Sequence, residues 1–171
     1  MRTLLALSVL AVAAGCQSIP GDAPKATANL QPTKGSSVRG TVNFVQFDGK
    51  VRVTASISGL KPSGQYGFHI HEAGDCSSGD GMSAKGHFNP LGKPHGHHST
   101  MERHAGDMPN LQSDANGNAL ATVDLDVITV SPGATSIVGR GLIVHADPDD
   151  YKTQPTGNAG ARIACGVIKA G

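Results

Sequence analysis

The sequence has no tryptophan, and aromatic residues together make up only 4% of its 171 positions. An interior built on large rings is excluded, so any core must be filled by aliphatic side chains. There is no excess of either charge: 14 basic residues stand against 13 acidic ones, a net of +1. That balance argues against nucleic acid, or a membrane surface bound by charge, as a partner. The low net charge and the supply of branched aliphatics also argue against a disordered chain. No stretch carries an apolar stripe at helical spacing over three turns, which excludes a helical bundle. Nor is any apolar run long enough to span a bilayer, which takes roughly 20 residues. What the chain has in quantity is glycine, 23 residues, and histidine, eight. Its length suits one domain and is too short for two comfortable ones.

The amino terminus reads as a targeting segment. Arg2 supplies a positive start, and Leu4 to Ala14 form an apolar run of the length a secretory signal uses. The run ends Ala13-Ala14-Gly15-Cys16, which resembles a bacterial lipoprotein signal in which the cysteine is lipidated and becomes the first residue. Ala13 stands where such signals usually have leucine, and the alternative is an ordinary cleaved signal with an incidental cysteine. Three cysteines are an odd number for an exported protein. Assigning Cys16 to lipid leaves Cys76 and Cys165 as one available pair in an oxidising compartment. From Gln17 to about Ser37 the chain is polar, contains Pro20, Pro24 and Pro32, and shows no periodicity. The expected organisation is a signal peptide over 1–15, a lipid-anchored flexible tether over 16–37 and a folded domain over 38–171.

Strand signals fill that domain. Val38 to Phe47 and Val51 to Ile57 are rich in β-branched residues and flank Asp48-Gly49, a strong hairpin turn. Tyr66 to His71, Ala119 to Val127, Ile137 to Val138, Leu142 to His145 and Ile163 to Ile168 are further candidates. The expectation is an all-β fold, an antiparallel sandwich or barrel. Two segments, roughly Glu72 to Leu111 and Ala146 to Ala161, lack strand character. Loops of that length are usually functional or pinned.

Seven of the eight histidines, His69, His71, His87, His95, His97, His98 and His104, fall in and beside the first of those loops; His145 follows later. His69 and His71 alternate with Phe68 and Ile70, so one strand would send both imidazoles to one face. His145 ends the apolar strand Leu142-Ile143-Val144 and could reach the same face. Imidazole suits copper, zinc, iron or nickel rather than hard oxygen-seeking ions. His87, His95, His104 and Asp107 would give three nitrogens and a carboxylate, a normal tetrahedral zinc shell.

Five blocks carry a resemblance: Gly67-Phe68-His69-Ile70-His71-Glu72, Gly86-His87-Phe88-Asn89-Pro90, Arg103-His104-Ala105-Gly106-Asp107, Val144-His145, and Gly157 to Ile168. In this order, over roughly Val38 to Ile168, the sequence resembles copper/zinc superoxide dismutases. The resemblance implies a Greek-key antiparallel β-barrel of about eight strands with two long functional loops. It implies copper held by His69, His71, His87 and His145, and zinc held by His87, His95, His104 and Asp107. His87 would bridge the metals, and in the family scheme it takes up the proton delivered to peroxide. Arg162 would bind the incoming anion beside copper, and Cys76 and Cys165 would form the intrasubunit disulfide. An aspartate four residues after the last copper histidine, Asp149 by that offset with Asp147 and Asp150 close by, would link the two sites. The implied activity is dismutation of superoxide; the alternative is a lipoprotein that only sequesters copper and zinc. A homodimer is one of the assemblies the resemblance admits.

The chain departs from the familiar eukaryotic form in two places. Ser77 to Lys85 lengthens the stretch between Cys76 and His87, and Asp150 to Gly157 is several residues shorter. The shortened stretch normally carries charges that steer superoxide, and here only Lys152 offers one. His97 and His98 fall outside the implied ligand sets and read as solvated loop residues or an auxiliary copper-loading patch. The leader places the protein outside the cytoplasm, with a periplasmic membrane-anchored form expected.

Overall fold

The computed structural model describes residues 19–171. The expected signal peptide over 1–15 and Cys16 lie outside the described residues. Among the described residues nine strands form in chain order: β1 Lys25–Pro32, β2 Arg39–Phe47, β3 Lys50–Ser58, β4 Gln65–Tyr66, β5 Phe68–His71, β6 Leu111–Gln112, β7 Ala119–Leu125, β8 Gly141–His145 and β9 Arg162–Ala170. Seven of them build one curled antiparallel sheet in the order β5-β8-β9-β1-β2-β3-β7, and β4 pairs with β6 in a short ribbon. From β3 the chain crosses to β5 at the far edge, returns to β7 beside β3, and crosses again to β8 beside β5. These over-the-end crossings are those of a Greek-key barrel.

The expected tether over 16–37 needs correction. Lys25–Pro32 is a central strand, paired with β2 from Lys25↔Val45 to Leu30↔Gly40 and with β9 from Ala26↔Ala170 to Pro32↔Ala164. Ala26, Ala28 and Leu30 alternate inward and are buried, while Lys25 and Asn29 face out. Two of the three inward side chains are alanines, so the period-two signal is weak in sequence. Pro24 and Pro32 flank or end the strand, where the missing N–H does least harm.

The β2–β3 hairpin follows its turn chemistry. Asp48 and Gly49 both have positive φ, 48° and 72°, as a two-residue turn of this hand requires. The expected strand from Tyr66 to His71 is cut at Gly67, where the partner changes: Tyr66 pairs with Leu111, and Phe68 with Val144. A Cβ on Gly67 would lie 2.7 Å from that of Ala159, so glycine there lets the second long loop close on the strand. Ile137 to Val138 is not a strand; Ile137 is a buried plug whose N–H donates to Thr129 O at 2.9 Å.

The main core lies inside the curl and includes Val42, Phe44, Val53, Ile57, Phe68, Ile70, Leu142, Val144 and Ile168. A small second cluster of Ala84, Ile143 and Cys165 lies outside the barrel wall under the first long loop, with Cys76 packed on it. The Cys76–Cys165 disulfide, spanning 89 residues, ties that loop to β9.

Candidate metal centre

All four residues of β5 are buried, on both faces. Phe68 and Ile70 enter the barrel core. Alternation turns His69 and His71 outward, where water would normally meet them, yet both are 0% exposed. The long loops cover them. Phe88 N–H donates to Ile70 O at 2.8 Å, Ile70 N–H to Gly106 O at 3.0 Å and Glu72 N–H to Gly86 O at 2.9 Å, so the first loop runs along the free edge of β5. A Cβ on Gly106 would collide with Ile70 O, which explains glycine at that close approach. Bridges His71↔His87 and His69↔Asp107 set the loop residues beside the strand pair.

Across the sheet His69 faces Ile143 of β8, and His145, two residues on, shares that outer face past a register shift. The result is two groups of four. The ligand atoms of His69, His71, His87 and His145 lie within 4.8 Å of one another, and so do those of His87, His95, His104 and Asp107. All are buried, and His87 is common to both.

The outer contacts of each ring fix which nitrogen faces inward. His71 Nδ1 hydrogen-bonds Lys85 O at 2.8 Å, and His145 Nδ1 lies 3.3 Å from Gly160 O, leaving both Nε2 atoms turned into the first group, 3.3 Å apart. His69 Nε2 meets Asp149 Oδ2 at 2.8 Å, and His95 Nε2 meets Asp149 Oδ1 at 2.9 Å. One buried carboxylate thereby orients a ring in each group. Asp107 Oδ1 lies 2.8 Å from His87 Nδ1, and its Oδ2 accepts from the N–H groups of His104 and Gly96 at 2.9 and 3.1 Å.

Three ring nitrogens of these groups, His69 Nδ1, His87 Nε2 and His95 Nδ1, are buried with no hydrogen-bond partner among the described residues. His95 Nδ1 is 3.0 Å from Asp107 Oδ2 but lacks hydrogen-bond alignment. A buried polar nitrogen without a partner costs about 1–3 kcal/mol, and metal coordination removes that cost. The orphans point into the first group from His69 and His87 and into the second from His95. Four imidazoles suit copper; three imidazoles and a carboxylate suit zinc. The donor sets therefore fit two ions that share His87.

Burial, then the neighbouring His69, lowers His87 to about 4 and His145 to about 3, and burial holds His71 well below its ordinary value. These rings are neutral, as ligands must be. At His95 burial opposes charge, but hydrogen bonds to Asp107 and Asp149 together outweigh it and raise the ring to about 9. Burial would raise Asp107 and Asp149, yet their histidine partners hold both far below the usual carboxylate range.

A model of the copper/zinc superoxide dismutase (SODC) family matches residues 38–168. The chain belongs to the copper/zinc superoxide dismutase family. It is 42% identical over 149 residues to superoxide dismutase [Cu-Zn] 2 of Aquifex aeolicus (strain VF5), covering 85% of this chain and 86% of that protein. It is 43% identical over 158 residues to superoxide dismutase [Cu-Zn] of Paramecium bursaria Chlorella virus 1, covering 84% and 83%. Among solved structures, the crystal structure of the clock protein EA4 superposes with a TM-score of 0.79 at 42% identity, covering 90% of this chain and 99% of that one. Copper and zinc, the metals of this family, are those the two donor sets fit.

Residues named from the dismutase pattern fall as follows. His69, His71, His87, His95, His104, His145 and Asp107 are drawn together. Asp149 links the groups, whereas Asp147 is exposed and Asp150 caps a turn, accepting from the N–H groups of Lys152 and Thr153 at 2.9 and 2.8 Å. Arg162 is half-buried at the start of β9, donating through Nη1 to Gly81 O at 2.6 Å and through Nη2 to Lys85 O at 2.5 Å. His97 and His98 stand outside both groups, half-buried, with rings 4.2 Å apart and His97 edge-on to Tyr151 at 4.5 Å.

Sequence reasoning assigned no role to three supports. Asn110 Nδ2 donates to Asp149 O at 3.0 Å, and its Oδ1 accepts from Asp149 N–H at 2.9 Å, clipping the second loop to the first. Gln154 pairs with the backbone of His95 in both directions, at 2.9 and 2.8 Å. Gly157, at φ 67°, leaves the space that Asp149 and His95 fill, since a Cβ there would strike Asp149 Oδ1. Only the glycine, first residue of the recognised Gly157 to Ile168 block, carried a sequence signal, and its role beside Asp149 was not read from it.

Proposed function

We propose that this chain dismutes superoxide: two superoxide anions and two protons become one dioxygen and one hydrogen peroxide. The observation that carries the reading is the shared His87, one buried imidazole with a nitrogen toward each of two donor groups. Copper supplies the one-electron cycling between oxidation states, and zinc a charge that does not change.

The chain's own residues do the rest. Arg162, with its guanidinium fixed on two carbonyls, offers a pre-oriented positive donor to the anion. His87 Nε2 has no hydrogen-bond partner among the described residues and is the nitrogen placed to hold a proton for the departing peroxide. Asp149 keeps His69 and His95 in one orientation while charge passes through the site. The loops bury every ligand.

The test is superoxide decay by the full chain loaded with copper and zinc, beside a His145→Ala variant, because loosely held copper dismutes superoxide by itself. Fast decay that the variant loses supports catalysis at this site. Equal rates, or none in fully metallated protein, sink the reading in favour of metal sequestration.

The leader and Cys16 support an exported lipoprotein that protects envelope components, since superoxide crosses membranes poorly. The disulfide fits an oxidising compartment such as the periplasm. Cys16→Ser should move the protein from the membrane to the soluble fraction; unchanged fractionation removes the anchor. A homodimer is among the assemblies the family admits, and sedimentation of the mature protein separates it from a single chain.

A further inference from the structure

Both main-chain polar groups of His95 are satisfied by one side chain. His95 N–H donates to Gln154 Oε1 at 2.9 Å, and Gln154 Nε2 donates to His95 O at 2.8 Å. His95 is only 4% exposed, and among the described residues no other group bonds its N–H or its carbonyl. A planar amide that pairs in both directions copies one rung of an antiparallel ladder, here across 59 residues of chain.

The turn that presents Gln154 is closed on itself. Asp150 N–H donates to Gly157 O at 2.9 Å, Gly157 N–H to Thr153 O at 2.7 Å and Thr153 Oγ1 to Asp150 Oδ2 at 2.6 Å. Tyr151 fastens the same turn to the metal-bearing loop. Its N–H donates to Asp149 Oδ1 at 2.7 Å, and its hydroxyl accepts from Asn110 N–H at 2.8 Å. The stretch that is short in this chain is therefore a preformed hook. Gln154 itself is exposed and lies outside both core clusters, so what it holds is a ligand rather than the core.

The His95 ring already has its carboxylates, Asp149 on Nε2 and Asp107 beside Nδ1. Those contacts orient the ring but do not clamp the chain that carries it. The N–H groups of Lys93 and Gly96, on either side, are bonded within the first loop, to Asn89 Oδ1 and Asp107 Oδ2. Gln154 joins this segment's backbone to a different part of the fold.

We propose that Gln154 is a positioning residue for the second donor group: it clamps the backbone of His95 and so sets how slowly zinc leaves. The proposal rests on the reading of that group as the zinc site. Zinc departs as its ligands separate, and His95 has to break both amide bonds to swing outward.

Zinc release from the fully metallated full chain is followed with excess chelator, well below the unfolding temperature, beside three variants. Gln154→Ala removes both bonds, Gln154→Met removes them while keeping the side-chain length, and Thr153→Val loosens the same turn without touching His95. The alanine and methionine variants should release zinc roughly five- to thirtyfold faster than wild type, and the valine variant at the wild-type rate. Cobalt placed in the zinc group gives a second reading. Its d–d absorption should change in the alanine and methionine variants and stay as in wild type with valine. Wild-type release from the alanine variant overturns the proposal, and wild-type release from the methionine variant does so by showing that bulk and not bonding matters. A valine variant as fast as alanine also overturns it, since Gln154 would then act only by stiffening its loop. A wild type that takes up no zinc in this group sinks the reading beneath the proposal instead.

Discussion

His95 is a ligand ring whose protonation opposes metal binding. Held between Asp107 and Asp149, its ring titrates at about 9 in the metal-free protein, so it carries a proton at pH 7.5. Zinc requires the neutral ring. A group with a raised pKa keeps its proton below that value, so zinc uptake at pH 7.5 should release about one proton from this site, and none well above pH 9. Calorimetric zinc titrations in two buffers of different ionisation enthalpy read the number directly. Asp149→Asn removes one of the two stabilising carboxylates and should reduce the yield at pH 8. Identical heats in both buffers at pH 7.5 would show that His95 is already neutral. Two copper-side rings, His87 and His145, behave oppositely. With His87 at about 4 and His145 at about 3, protons do not compete for them at neutral pH.

Elements differ in how plainly the sequence announces them. The β2–β3 hairpin was legible because its branched residues and its Asp-Gly turn agree, and His69 and His71 were placed on one face by alternation alone. β1 was hidden because alanine fills its inward positions, and β4–β5 read as one strand because a change of partner at Gly67 leaves no mark on hydrophobic period. Asp149 was reached through a family offset with two neighbours competing; its burial and its contacts with His69 and His95, which only the fold reveals, separate it from Asp147 and Asp150. Asn110 and Gln154 were out of reach, since an amide that clips a distant backbone has no local signature. The hidden strand makes a sharp prediction. A chain beginning at Thr33 loses Ala26, Ala28 and Leu30 from the core and leaves β2 and β9 facing each other with no strand between them. It should show no cooperative unfolding by circular dichroism, whereas a chain beginning at Ile19 should melt like the full protein. Equal melting of the two would restore the tether.

At the scale of the molecule, the sheet is continuous but the metal-bearing loop lies outside it, held by edge hydrogen bonds, the buried ligands and one covalent link. Closing 89 residues of chain, the Cys76–Cys165 bond restricts the unfolded ensemble more than a short loop would. Breaking it should lower stability by about 2–5 kcal/mol. For a domain of this size that is a fall in melting temperature of roughly 5–15 °C. A Cys76→Ala/Cys165→Ala variant also removes sulfur packed on Ala84 and Ile143, so reduced wild type is the necessary companion: same atoms, no link. If the link matters, both melt lower, and the variant lowest. If reduced and oxidised wild type melt together, the bond adds nothing to the loop's other attachments. Activity should follow the link as well, because Gly81 and Lys85, the two carbonyls that fix Arg162, sit in the segment it anchors. Reduction should therefore weaken the salt-dependent part of the rate before any metal is lost, with metal content measured on the same sample.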